Sequence, residues 1–67
     1  MRTFDVSVTY YNWATGEVMG IDSFIVDVLN EDEAERCVSN MLWIEGAKFS
    51  IDKVVDVTAV YSGEIVG

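Results

Sequence analysis

Apolar and polar residues alternate along the first part of the chain. From Thr3 to Tyr11 the alternation is strict, which is typical of a strand with one buried face and one solvated face. The side chains predicted to point inward are Phe4, Val6, Val8 and Tyr10. The opposite face carries Thr3, Asp5, Ser7, Thr9 and Tyr11. Residues 12–17 form a predicted hairpin turn, in which Gly16 can supply a positive φ.

A second strand is predicted from about Val18 to Leu29 by the same alternation. Its inward positions are Phe24, Val26 and Val28, and its opposite face carries Ser23, Ile25, Asp27 and Leu29. Continuing the alternation toward the hairpin would bury Asp22. We therefore expect a bulge or a break in register near residues 20–22.

The pattern changes to a helical repeat between Asn30 and Gly46. Apolar side chains recur at three- and four-residue spacing, which predicts one buried helix face formed by Ala34, Cys37, Val38, Met41 and Leu42. Asn30 is the predicted N-cap, and Glu33 is expected to reach back to the Asn30 amide. Gly46 is expected to end the helix in a left-handed conformation. On this register Cys37 belongs to the core.

The last apolar segment, residues 47–61, predicts a third strand. Its expected inward side chains are Phe49, Ile51, Val55, Val57, Ala59 and Tyr61, and its expected outward ones are Val54, Asp56, Thr58 and Val60. Lys53 interrupts the inward set, so we expect a bend at Asp52–Lys53. Residues 62–67 are predicted to fray.

These elements predict a single α+β domain over residues 1–67 with the order ββαβ. The helix reverses the chain direction, so the third strand runs parallel to the second and both run antiparallel to the first. The predicted sheet is three-stranded and mixed, in the order 2-1-3. One helix covers one face of this sheet, and the other face stays open.

Composition narrows the possible functions. The chain is 51% hydrophobic, which indicates a folded domain, and its 12 acidic and 4 basic residues give a net charge of −8. Such a charge repels phosphates, so we expect no direct nucleic-acid binding. The apolar runs are too short for a signal peptide or a membrane helix. A single cysteine cannot form an internal disulfide, so we expect a cytoplasmic protein.

Catalytic chemistry finds little support in the sequence. The chain has no histidine and no glycine-rich loop between a strand and a helix. The acidic run Glu31–Glu33 is better explained by the capping of a helix than by metal binding. We therefore expect no enzyme activity, no cofactor and no metal site.

Binding is the favoured alternative, and two surfaces are candidates. The first is the open sheet face, where we place the carboxylates of Asp5, Asp27 and Asp56, with Asp52 at the margin. Apolar and aromatic side chains lie among these acids, chiefly Ile25 and Tyr11. Such a face suits a basic, partly hydrophobic partner, although acids on an open sheet also prevent aggregation.

Two tryptophans form the second candidate surface. Trp43 lies away from the buried helix face and is predicted to be exposed, which suits an interface. Trp13 lies in the hairpin turn, where it either folds over the end of the core or joins an interface.

A series of residues from the second strand to the third resembles a known class of proteins. Val28-Leu29 and Asn30 precede a helix opened by Asp32-Glu33-Ala34, and Gly46 leads to the strand pattern Phe49-x-Ile51-x-x-Val54. This arrangement is similar to small host-takeover proteins of bacteriophages, such as inhibitors of bacterial RNA polymerase. Those inhibitors carry arginines on the last strand, where this chain has Val55 and Val57. The resemblance therefore implies the class and not the target.

The sequence as a whole predicts a small acidic binding protein. Its expected partner is a larger host protein with a basic surface, blocked by occlusion inside a bacterial cell. One candidate for that surface is a groove that normally holds nucleic acid. The alternative is a structural module that forms a homodimer through its open sheet face.

Overall fold

The computed structural model describes residues 1–61. Its elements are β1 (Arg2–Tyr11), β2 (Val18–Val28), α1 (Glu31–Glu45), β3 (Phe49–Asp56) and α2 (Thr58–Tyr61). The sheet order is β2-β1-β3, and β1 is antiparallel to both neighbours. The predicted α+β fold with ββαβ order is confirmed. The predicted fraying of residues 62–67 lies outside the described residues.

The core is formed between β1 and one face of α1. The buried side chains are Phe4, Val6 and Val8 from the strand and Ala34, Val38 and Leu42 from the helix. Burying a side chain such as valine or leucine stabilises a fold by about 1.5–3 kcal/mol. A ring of half-buried side chains extends this core: Tyr10, Phe24, Val26, Val28, Ala47, Phe49, Ile51 and Val54.

Both ends of α1 are capped as the sequence predicts, with one difference. Asn30 Oδ1 accepts the Glu33 backbone N–H (2.9 Å), and Gly46 is left-handed with φ of 77°. The Glu33 carboxylate, however, accepts the N–H of Leu29 (3.1 Å) and not that of Asn30. The helix entry is therefore fixed one residue earlier than predicted. Within residues 1–61, no helix is long and apolar enough to span a membrane.

Each outer strand contains one extra residue, whereas β1 contains none. Tyr10 pairs with Gly20 and Tyr11 with Val18, which makes Met19 the extra residue of β2. Ser7 pairs with Lys53 and Val8 with Ile51, which makes Asp52 the extra residue of β3. The break predicted at 20–22 lies instead at Met19, so Asp22 keeps the core-facing phase opposite Val8, although it is exposed. The irregularity predicted at Asp52–Lys53 is present.

The bulge at Asp52 exchanges the two faces of the rest of β3. Val54 packs against the core, and Val55 pairs with Asp5 on the opposite face. The predicted inward position of Val55 and outward position of Val54 are therefore wrong, because one extra residue inverts the alternation.

The strand predicted to reach residue 61 ends at Asp56. The Asp56 side chain accepts the backbone N–H of Thr58 (2.9 Å) and its hydroxyl (2.5 Å). This local bonding turns the chain and starts α2, since a carboxylate two residues before an N–H competes with strand pairing.

Cys37 is exposed, so its predicted burial is also wrong. The buried residues of α1 recur every four positions, at Ala34, Val38 and Leu42. Cys37 lies one position, about 100° around the helix, from Val38. A narrow sheet covers only the central stripe of the helix and leaves this flank in solvent.

Candidate functional site

The sheet face away from α1, here called the open face, displays side chains from all three strands. The β1 contribution is Thr3, Asp5, Ser7, Thr9 and Tyr11. The pairing register places beside them Ile21, Ser23, Ile25 and Asp27 from β2 and Ser50, Lys53 and Val55 from β3. The predicted positions of Asp5, Asp27, Ile25 and Tyr11 on this face are thus confirmed.

Asp5 lies at the centre of the open face. Its two neighbours across the sheet are Ile25 and Val55, which are 44% and 36% exposed. Asp5 Oδ1 is buried and has no hydrogen-bond partner among residues 1–61. A buried acceptor without a donor costs about 1–3 kcal/mol. A donor from outside the chain would remove that cost once the carboxylate turns, because Oδ1 has almost no accessible surface in this conformation.

Asp27 flanks Asp5 on the neighbouring strand. It lies opposite Thr3, one step diagonally from Asp5, so the two Cβ atoms are about 7 Å apart. The Thr3 hydroxyl donates to Asp27 Oδ1 (2.5 Å). This bond holds the carboxylate in one orientation.

Asp52 is part of the open face, although the sequence placed it only at the margin. The Thr9 hydroxyl donates to Asp52 Oδ2, and the Ser50 hydroxyl donates to Oδ1 (3.1 Å). Tyr11 and Ser50 share a further hydrogen bond of 3.0 Å. The bulge turns Asp52 toward these hydroxyls. Asp52 can therefore be assigned to the open face only when the position of the bulge is known.

Asp56 does not belong to the open face, which corrects the prediction. It pairs with Phe4, a core-facing residue, and its Oδ2 accepts from Arg2 Nε (2.5 Å). The hydroxyl and backbone N–H of Thr58, together with Arg2, lower the pKa of Asp56 to about 2. The bulge at Asp52 moves Asp56 to the helix side, where it closes the end of the sheet.

The tryptophans form a separate surface at the hairpin end of the molecule. Trp43 is 78% exposed, as predicted. Trp13 is 68% exposed, yet its Nε1 donates to the carbonyl of Gly46 (2.9 Å). Trp13 therefore rests on the end of the helix while most of its ring stays in solvent.

Trp13 lines two shallow clefts. One of about 280 Å³ includes Tyr10 and Met19, and the other, of about 160 Å³, includes Trp43. Burial, with Asp22 and Glu45 nearby, raises the pKa of Tyr10. Both clefts are lined mostly by apolar groups, and Lys48 adds a charged side chain to the larger one.

Among residues 1–61, no three or more acidic or cysteine side chains are grouped so that they could hold a metal ion. No protein-family model, no curated protein and no solved structure matches the chain.

Proposed function

We propose that the protein is a small acidic binding module whose open face docks on a basic surface of a larger protein and occludes it. The observation that carries this proposal is the buried, unpaired Oδ1 of Asp5 between Ile25 and Val55. Asp27 and Asp52 add two further carboxylates on the same face.

An arginine or lysine of the partner fits this centre. Its charged head would donate to Asp5, and its apolar stem would pack on Ile25 and Val55. Because hydroxyl groups already orient Asp27 and Asp52, little side-chain entropy is lost on binding. The net charge of −8 would accelerate the encounter with a basic surface.

The partner class follows from this chemistry and from the resemblance to phage host-takeover proteins. A surface that normally holds nucleic acid is strongly basic, and fixed carboxylates would occupy the positions of phosphates. The protein would then act in the cytoplasm of a bacterial host, by steric and electrostatic occlusion and without catalysis.

A homodimer through the open face is the weaker alternative. It would bring the carboxylates of Asp5, Asp27 and Asp52 toward those of a second copy. Like charges in a desolvated contact oppose association.

The test compares two variants of equal charge. Asp5→Asn with Asp27→Asn changes the open face, and Asp32→Asn with Glu35→Gln changes the exposed side of α1. We immobilise each variant, expose it to a bacterial lysate and identify the retained proteins. We expect a basic protein that the parent and the helix variant retain and the open-face variant loses.

The salt dependence of that complex completes the test. Affinity should fall as salt rises, because exposed charges are screened. If both variants lose the same affinity, the effect depends on net charge alone. If the open-face variant still retains the basic protein, the open face is not the binding surface. Either result overturns the proposal.

A further inference from the structure

The outer edge of β2 presents backbone groups that have no strand beside them in residues 1–61. Thr3 O accepts from Val57 N–H (2.8 Å), and Tyr11 N–H donates to Lys48 O (2.9 Å). Odd-numbered residues of β1 therefore direct their backbone groups toward β3, and even-numbered ones direct theirs toward β2.

The partners of those even-numbered residues are the even-numbered residues of β2. Val6 pairs with Phe24, and Phe4 pairs with Val26. The backbone N–H and C=O groups that point away from the sheet consequently belong to four odd-numbered residues: Ile21, Ser23, Ile25 and Asp27. Their side chains lie on the open face.

Along its regular part this edge is protected against strand pairing by the charges of Asp22 and Asp27 alone. From Gly20 to Val28 it has no bulge, no proline and no basic residue, and these are the common means of protecting an edge. Two of its side chains are also apolar and accessible, since Ile21 is 77% exposed and Ile25 is the neighbour of Asp5.

We propose that β2 pairs with β2 of a second copy, in antiparallel orientation and with the two-fold axis at Phe24. This register aligns the whole regular segment, Gly20–Val28, with itself. It joins two three-stranded sheets into one continuous sheet. The inference does not depend on the proposed function, because it rests on the outward backbone groups of β2 and not on the carboxylates of the open face.

The proposed register is compatible with the charges of the strand. Ser23 lies opposite Ile25 of the partner subunit, Asp22 opposite Val26, and Ile21 opposite Asp27. No acid faces an acid, and the two Phe24 side chains face each other on the helix side. Cross-strand pairs of aromatic or β-branched residues stabilise such a ladder. A self-complementary strand favours a second copy over an unrelated peptide.

Asp22 controls access to this edge. The outward N–H of Ser23 donates to Asp22 Oδ1 (2.8 Å) in the single chain. Pairing requires Ser23 to exchange that acceptor for the carbonyl of Ile25 of the partner subunit. The carboxylate thus competes with the second copy and weakens the dimer without preventing it.

Four variants test this proposal by sedimentation of the purified protein over a range of concentrations, up to about 1 mM. Ser23→Pro removes one outward N–H and should weaken self-association by roughly tenfold or more, whereas Ser23→Ala keeps the N–H and should not. Asp22→Ala should strengthen self-association. Glu17→Ala removes the same charge in the hairpin turn and should have a smaller effect.

Salt separates this surface from the open face. Two copies of charge −8 repel each other, so self-association should strengthen as salt rises. Binding of the open face to a basic partner should weaken instead. Asp22→Ala, whose side chain lies opposite Val8 on the helix side of β2, should change self-association and still retain the basic protein captured by the parent, so either proposal can fail alone.

Hydrogen exchange on the parent protein supplies a readout that needs no variant. The amides of Ser23 and Ile25 should exchange more slowly as concentration rises, while those of Phe24 and Val26, already bonded to β1, should not change. A protein that remains monomeric throughout overturns the proposal. So does a dimer in which Ser23→Pro and these amides have no effect.

Discussion

The two edges of the sheet differ, although both strands flank the same central β1. β3 is the shorter strand, with 8 residues against 11 in β2. It is interrupted in the middle by the bulge at Asp52, and Lys53 follows directly. After Asp56 the chain leaves the sheet as α2.

β2 has its bulge at Met19, next to the hairpin, and continues regularly to Val28. A bulge protects an edge only over the few residues that it distorts. Its position, and not its presence, therefore decides which edge can pair. β3 is therefore the interrupted edge of the sheet, and β2 is the regular one.

The largest expected effect comes from the core that supports both edges. Val38→Asp would place an unpaired charge in a fully buried position, which costs several kcal/mol, comparable with the whole stability of a small domain. Chemical denaturation followed by circular dichroism should show an unfolded or barely stable protein. Ile44→Asp, on the exposed side of the same helix, should change stability by about 0.5 kcal/mol or less.

The next effect concerns the bulge that closes the β3 edge. Asp52→Ala removes the acceptor of the buried Thr9 hydroxyl and should lower the free energy of unfolding by about 1–3 kcal/mol. Asp27→Ala is the matched control, because its partner Thr3 is less buried. Equal losses in denaturant midpoint would show that the burial of Thr9 adds nothing to this bond, and no loss for Asp52→Ala would show that the bulge needs no side-chain support.

A smaller, pH-dependent effect arises at the end of β3. The pKa of Asp56 falls from an ordinary value of 3.8 to about 2 in the folded protein. The unfolded chain therefore takes up this proton first, and the stability due to Asp56 is complete above about pH 4 and is lost as pH falls toward 2.

Thermal melting at a series of pH values checks this dependence. Asp56→Asn should be less stable than the parent near neutral pH and should approach it below about pH 2. Arg2→Gln should remove part of the same difference, since Arg2 is one of several groups that bond Asp56. A constant gap between parent and Asp56→Asn across this range would contradict the assignment.

The smallest expected change in stability is at Asp5, between the two edges. Asp5→Asn removes a charge from a site with a buried, unpaired acceptor, so stability should stay within about 1 kcal/mol of the parent. Affinity for the basic partner should nevertheless fall. A large loss of stability would show that the Asp5 carboxylate supports the fold.

The regular parts of the molecule could be predicted from the sequence because their signals are local. The alternation in β1 and the spacing in α1 each repeat within a few residues, and the caps at Asn30 and Gly46 use adjacent backbone groups. The width of the buried stripe of α1 is not a local property, because it depends on how much of the sheet lies beneath the helix. For this reason the helical spacing predicts a buried Cys37, which is exposed in the structure.

The predicted faces of the second half of β3 are wrong for a related reason. Lys53 signalled an irregularity, but one extra residue reverses every later position, so Val54, Val55 and Asp56 were assigned to the wrong faces. An aspartate with a threonine two residues later, as in Asp56-Val57-Thr58, is a sequence signal for a turn at this point. The unpaired oxygen of Asp5 had no sequence signal, because it depends on side chains from two other strands.

The position of β1 between β2 and β3 has a consequence for folding. β1 and β2 are joined by a short turn and can pair as a local hairpin, whereas β3 lies beyond the whole of α1. The second side of the central strand is therefore completed by a contact between distant parts of the chain, which is slow to form. Until Asp56 has been synthesised, the backbone groups on that side of β1 have no partner strand. A chain that ends before β3 would leave the central strand as an edge, so we expect it to aggregate and not to fold into a smaller domain.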